Sequence, residues 1–342
     1  MGLKNRLISN KKIYPFLMAV KSLKNIETRN KIWDLSHNRD ELIIRHGGDL
    51  YSGKIIYNIN INEGSGGFFA LMRWACTALE YADNRGFVPY VCFGKKCRYF
   101  DEGIEETDNV FEYYFEPVSK VMSAEVEYAR NIIDYETKHL QEIECSSSFQ
   151  LVPEIVNCFS EIWKKYIKIN KKTYFSIMNE MSSILDFSKK TLGIHVRGTD
   201  FKENYSGHPV AVSLSEEIQI AKELMKYEYE QIFLATDEVQ TIHAFKEEFG
   251  DKVKYYSNTY RSSDGTAIHD SKASRPLHYY LNGYEVLRDA YTLARCNGLI
   301  AGVSNVSFFV MVINKAEGRA FNDCKICYHG MNKNSKIYTK GK

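Results

Sequence analysis

The stretch LGIHVRGTDF (residues 192–201) sets His195, Arg197, Thr199 and Asp200 at the end of an apolar run carried by Leu192, Ile194 and Val196. A guanidinium is always charged and presents a rigid fork matched to phosphate oxygens. Arg197 is therefore the candidate for stabilising a phosphate that gains negative charge, and its competing use is a structural ion pair with Asp200. Two clusters of the same kind follow: LATD (234–237) ends on Asp237, and GVSN (302–305) ends on Ser304 and Asn305. Ser304 and Asn305 stand where an apolar run gives way to helical spacing, so their side chains and neighbouring N–H groups can hold an anion. Ordinary helix capping uses the same residue types. Asp200, Asp237 and Asp289 supply carboxylates for hydroxyl and base-edge contacts.

A second phosphate-binding device lies in the other half of the chain. EGSGGF (63–68) offers an N–H-rich turn through Gly66 and Gly67 at the start of a helical pattern, with Glu63 beside it. It is not a P-loop, because no Lys-Ser/Thr pair follows the glycines, and the third glycine of a dinucleotide fingerprint is missing. Anion-holding groups in both halves imply a cleft between them, and a diphosphate-linked nucleotide fits those parts.

The elements that must position these residues read clearly in most places. KIIYNININ alternates, with Tyr57, Ile59 and Ile61 on one face and Asn58, Asn60 and Asn62 on the other, and predicts a half-buried strand. Phe68, Leu71, Met72, Ala75 and Leu79 have helical spacing up to a stop at Gly86, and FVPYVCF reads as the next strand, giving one β–turn–α–β unit. From about Val118 to Leu185 the pattern is mostly helical, clearest in PEIVNCFSEIWKKYIKI. The second half then alternates short apolar strands (TLGIHV, QIFLA, KVKYYS, GLIAG) with amphipathic helices, one opened by a capping box of Ser213 and Glu216 and one stopped at Gly250. This alternation predicts a parallel, doubly wound α/β sheet. Ligands of such sheets sit beyond the carboxyl ends of the strands, where the three polar clusters fall if the strands lie side by side.

At 342 residues the chain exceeds one ordinary hydrophobic core. Two domains are expected, residues 1–180 and 181–342. A net charge of +2 gives no case for nucleic acid as a partner. Charge is uneven, however: between Met1 and Lys31 eight Lys and Arg stand against the single acid Glu27. That segment reads as a solvated helical face or, with Ile13, Phe16, Leu17 and Val20, as a weak peripheral contact with an anionic membrane. With neither a spanning apolar run nor a signal-peptide pattern, a cytoplasmic protein is expected, and the eight scattered cysteines fit reduced thiols. Cys324, Cys327 and His329 offer half a zinc site but no second pair nearby, so no metal is expected.

Taken in order, GIHVRGTD, IFLATD and EVLRDAYTLARCNGLIAGVSN resemble the three C-terminal motifs of the fucosyltransferase superfamily, which includes nodulation, core α-1,6- and protein O-fucosyltransferases. NEGSGGFFALMRWACTALEYADNRG resembles its N-terminal Gly-rich turn and helix. The likeness covers roughly residues 55–90 and 190–315. It implies a GT-B fold of two Rossmann-like domains facing a cleft, GDP-fucose as donor with no cofactor or metal, and inversion at the anomeric carbon. By resemblance Arg197 binds the β-phosphate, His195 and Asp289 contact the nucleotide (Asp289 the guanine), Asp200 and Asp237 lie near sugar and ribose, and Ser304 and Asn305 near the diphosphate. Where the core α-1,6 branch has a second Arg, a Lys and a Glu, this chain has Gly198, Phe201 and Tyr205. Linkage and catalytic base stay open, with Glu63, Glu203 and Asp200 as candidate bases. The expected acceptor is an oligosaccharide or glycolipid, in a bacterial surface-polysaccharide setting. The competing functions are transfer or hydrolysis of another nucleotide sugar, and non-catalytic nucleotide or glycan binding.

Overall fold

The computed structural model describes residues 42–62, 66–137, 139, 151–198, 208–262 and 275–333. The chain divides between Ile44 and Arg45, and both sheets of the described residues lie in the second of these units. Among the described residues the α-helices and β-strands in order are β1 (Ile56–Asn60), α1 (Phe68–Asn84), β2 (Val88–Cys92), α2 (Ser123–Val126), β3 (Ile132–Asp134), α3 (Pro153–Tyr166), α4 (Lys171–Ile184), β4 (Thr191–Val196), α5 (Leu214–Met225), β5 (Gln231–Thr236), α6 (Val239–Phe249), β6 (Val253–Lys254), α7 (His278–Arg295), β7 (Gly298–Gly302), α8 (Asn305–Ala316) and β8 (Asp323–Cys327).

The expected α/β architecture is present as two all-parallel sheets. The first has the order β2-β1-β3 and the second β6-β5-β4-β7-β8. β1 is central in its sheet and buried from Ile56 to Ile59, Asn58 included, which corrects the half-buried expectation. Asn58 is tolerated there because its side-chain amide donates to Asp134 Oδ1 at 2.7 Å. Asp134 ends β3, a three-residue strand within the stretch whose pattern is mostly helical.

In the second sheet β4 is fully buried on both faces, as a strand covered by helices on each side requires. Leu192, Ile194 and Val196 share a core with Ala221 of α5 and Ile242 and Phe245 of α6. Thr191, Gly193 and His195 therefore point to the other face, where Leu293 and Cys296 of α7 and its C-cap close on Gly193. Ser213 caps α5 by accepting the Glu216 N–H, the expected side-chain arm of the box. KVKYYS is shorter than its apolar run promises: only Val253 and Lys254 pair, against the edge of β5. The first four residues of the CKICYH segment, Cys324 to Cys327, lie in β8. Cys324 and Cys327, three positions apart on β8, take opposite faces, one exposed and one buried, so this spacing cannot present both thiols to one metal ion.

The halves are joined by aromatic packing. Phe69 of α1 stacks on Phe309 of α8 at 5.1 Å between ring centroids, Phe159 of α3 meets Phe308 edge-on at 5.1 Å, and Trp163 lies 5.4 Å from Phe309. On the far side Asp101 Oδ2 accepts the N–H groups of Tyr279 and Tyr280 in the first turn of α7, at 3.1 and 3.4 Å. Tyr114 stacks on Tyr280 and donates its hydroxyl to the Tyr280 carbonyl at 2.8 Å.

Candidate functional site

Strand order fixes where a ligand can enter the second sheet. Reading outward from β4, the chain moves to β5 and β6 on one side and then returns to β7 and β8 on the other. The order reverses between β4 and β7, and the crevice beyond the carboxyl ends of those strands is the switch point where open α/β sheets bind ligands. The register pairs Val196 with Thr236 and His195 with both Ala235 and Ala301. Arg197, Asp237 and Val303 accordingly follow their strands at one level, and the three polar clusters share one edge.

Arg197 Nη1 donates to Asp237 Oδ2 at 2.8 Å, and the Gly198 N–H donates to the other oxygen, Oδ1, at 2.9 Å. The carboxylate thus grips the guanidinium and the backbone beside it, while 26% of the Arg197 side chain stays exposed. Of the two uses open to Arg197 in the sequence, pairing with Asp200 lies outside the described residues, as do Thr199 and Asp200 themselves. Gly198 packs closely: a Cβ there would lie 2.2 Å from Cδ of Glu238, a buried residue that precedes α6, so the Glu238 side chain would have to shift.

His195 is buried on the α7 face of β4, and its Nδ1 has no hydrogen-bond partner. Burial first, and then the Arg197 charge, push its imidazole pKa down to about 4, so the ring is neutral at physiological pH. Asp289 on α7 is likewise buried, with Oδ1 accepting no hydrogen bond and Arg288 Nε 3.9 Å away. Burial pushes its pKa up to about 6 against the opposing charges of Arg288 and Arg261. That oxygen has the Arg288 charge nearby but no hydrogen bond, so it can still accept one from a ligand donor.

Around Asp289 stand cations that the sequence patterns do not single out. Arg261 donates Nε to the Thr236 carbonyl at 3.2 Å, at the end of β5. Arg288, 1% exposed, pairs with Glu180 and donates to Asn258 Oδ1 at 3.0 Å, under the ring of Tyr256. Nothing in the local pattern marks these residues, because their partners lie on other elements, 108 positions away for Glu180.

Ser304 is the N-cap of α8. Its hydroxyl accepts the Ser307 N–H at 3.1 Å while the Ser307 hydroxyl accepts the Ser304 N–H at 2.9 Å. The capping use of Ser304 is thus realised. What this end of α8 offers an anion is its positive dipole end, while the buried Oδ1 of Asn305, which has no hydrogen-bond partner, is an acceptor for a ligand donor. On the other half, Gly66 has φ of +95°, a conformation side chains rarely adopt, and Gly67 is the N-cap of α1 with open space where a side chain would stand. The Phe68 N–H in the first turn of α1 donates to the Tyr99 hydroxyl at 2.7 Å. Burial raises the Tyr99 phenol, and the Arg197 charge works against that rise, so Arg197 and this end of α1 lie within electrostatic reach of one another. Glu63 and Glu203 lie outside the described residues. The structure therefore brings Arg197, Asp237, His195, Asn305 and the cap of Ser304 to one strand edge.

No family model matches the chain, and no curated protein sequence does. Among solved structures it is similar to NodZ α-1,6-fucosyltransferase soaked with GDP-fucose, at 15% identity and a TM-score of 0.47 over 76% of this chain and 92% of that one. It is similar to NodZ from Bradyrhizobium at 16% identity, over 76% and 91% of the two chains with a TM-score of 0.46. POFUT1 in complex with GDP matches at 10% identity over 80% and 98%, with a TM-score of 0.43.

Proposed function

We propose that this chain is an inverting glycosyltransferase that moves fucose from GDP-fucose to an oligosaccharide or glycolipid. The observation that carries the reading is Arg197 held by Asp237 at the carboxyl edge of β4, beside the β4/β7 switch point and the N-terminus of α8. The sequence likeness of the three strand-end motifs supports fucose as the sugar.

In this reading residues 181–342 bind the donor and the part before residue 180 presents the acceptor. As the glycosidic bond breaks, negative charge grows on the departing diphosphate. A fixed guanidinium and a helix N-terminus stabilise that charge most when it is fully developed, which lowers the barrier instead of only tightening binding. Together they supply positive charge of the kind a metal ion supplies at other phosphate sites, so the reaction needs no cofactor. Asp237 keeps the Arg197 fork aimed, and Asp289 and the neutral His195 serve the nucleotide. A carboxylate, Glu63, Glu203 or Asp200, takes the proton of the acceptor hydroxyl as it attacks from the opposite face of the sugar.

A thermal-shift panel of GDP-, UDP- and CDP-sugars tests the reading. A donor at a hundredfold its dissociation constant stabilises the fold by about 2.7 kcal/mol, and GDP-fucose is expected to do so while the other nucleotides do not. Equal response to all three would remove the GDP assignment, and donor hydrolysis with no acceptor requirement would favour a hydrolase. In pH–rate profiles, whichever of Glu63→Gln and Glu203→Gln loses the acidic limb identifies the base. No helix among the described residues is long and apolar enough to cross a membrane.

A further inference from the structure

A cavity of about 470 Å³ opens at the other end of α8, between α3, α4 and α7. Its walls are Trp163, Ile167, Ile169, Tyr174, Phe175 and Tyr291. It is separate from the strand-edge site: Ser304 precedes α8 and Ala316 ends it, a span of about 18 Å at 1.5 Å per residue. Its volume falls within the range of small-molecule sites, roughly 300–1,000 Å³.

Charge at the cavity is not balanced. The two carboxylates in the wall are already matched, Glu116 by Lys168 at 2.6 Å and Glu317 by Arg295 at 2.6 Å. Lys164 and Lys171, also in the wall, have no ion-pair partner among the described residues. Lys171 is the first residue of the fourteen-residue α4, so the positive end of that helix adds to the local potential. Phe175 is 61% exposed and Tyr174 41%, an unusual cost for aromatic rings bordering an apolar space. An apolar chamber with two unmatched ammonium groups is complementary to a molecule that is apolar at one end and anionic at the other.

We propose that this cavity binds a long-chain anion, a single acyl or alkyl chain bearing a carboxylate or phosphate, with the chain against Trp163 and Ile169 and the head group between Lys164 and Lys171. The site does not rest on the donor reading and would stand without it.

Trp163 is one of three tryptophans. In a Trp33→Phe/Trp74→Phe background it is the sole reporter, and brominated dodecanoate kept below its aggregation concentration should quench it saturably. Dodecyl phosphate should compete, whereas dodecyl maltoside, acetate and inorganic phosphate should not. Lys164→Glu/Lys171→Glu should weaken the affinity roughly tenfold or more, and Ala316→Phe should reduce it by narrowing the chamber, both with an unchanged melting temperature and unchanged turnover of the donor. A non-saturating quench, equal competition by the neutral maltoside or by the short anions, or undiminished affinity in the double Glu variant would each overturn the proposal.

Discussion

One carboxylate, Asp237, holds both the Arg197 guanidinium at 2.8 Å and the Gly198 N–H at 2.9 Å. The orientation of the guanidinium therefore depends on a residue at the end of the neighbouring strand. If Asp237 acts through Arg197, the two substitutions cannot add. Asp237→Asn should lower kcat for donor turnover, and Arg197→Ala/Asp237→Asn should be no slower than Arg197→Ala alone. A double variant far slower than either single one would show an independent role for Asp237.

Gly198 packs against the Glu238 carboxyl group. Gly198→Ala places a methyl carbon 2.2 Å from Glu238 Cδ, so the Glu238 side chain must move. Overpacking of this kind costs about 1–3 kcal/mol, so the melting temperature should fall. Glu238→Ala in the same chain should restore part of the loss, and a Gly198→Ala protein as stable as wild type would show that the loop yields without cost.

Asp289 is pushed up to about 6 by burial, and its Oδ1 accepts no hydrogen bond. If the ionised carboxylate accepts from the base of the nucleotide, GDP affinity should rise as pH passes upward through about 6. Asp289→Asn should flatten that rise and narrow the preference for GDP over UDP. Isothermal titration between pH 5 and 8 measures both, and a flat wild-type profile would separate Asp289 from nucleotide binding.

Glu217 on α5 is 2% exposed, and burial pushes its pKa up to about 8 from the usual 4.5. A carboxyl group whose folded pKa is raised favours the fold below its unfolded pKa and loses that contribution as pH climbs to the folded one. Stability should therefore decline between about 4.5 and 8 through this residue. Glu217→Gln should remove that part of the decline, leaving the variant more stable relative to wild type at pH 8 than at pH 4.5 in urea titrations.

Most of the second sheet was legible because its strands are short apolar runs between capped amphipathic helices, as β4, α5 and β5 show. β3 and β8 were not. Ile132–Asp134 is too short to leave a pattern, and Asp323–Cys327, an edge strand, is mostly polar or exposed and looks like a cysteine motif. The joint between the halves also leaves no local signal, since Phe69, Phe159 and Phe309 meet from three helices far apart in the chain. At the site, residue types at strand ends pointed to Arg197 and Asp237, and parallel register did the rest. Glu238 and Tyr99 went unseen because their importance lies in what they touch: the backbone at Gly198 and the first turn of α1. Ser304 shows the converse, a residue type suited to anions whose hydroxyl serves the helix cap.

The most direct measurement is the rate at which GDP is released from GDP-fucose by wild type, Arg197→Lys and Arg197→Ala. If Arg197 stabilises the departing diphosphate, its removal costs about 3–4 kcal/mol of activation free energy, roughly 100- to 1,000-fold in rate, and Lys restores little because the fork is lost. Near-wild-type release by folded Arg197→Ala, or no release by wild type with any acceptor extract, would contradict the account.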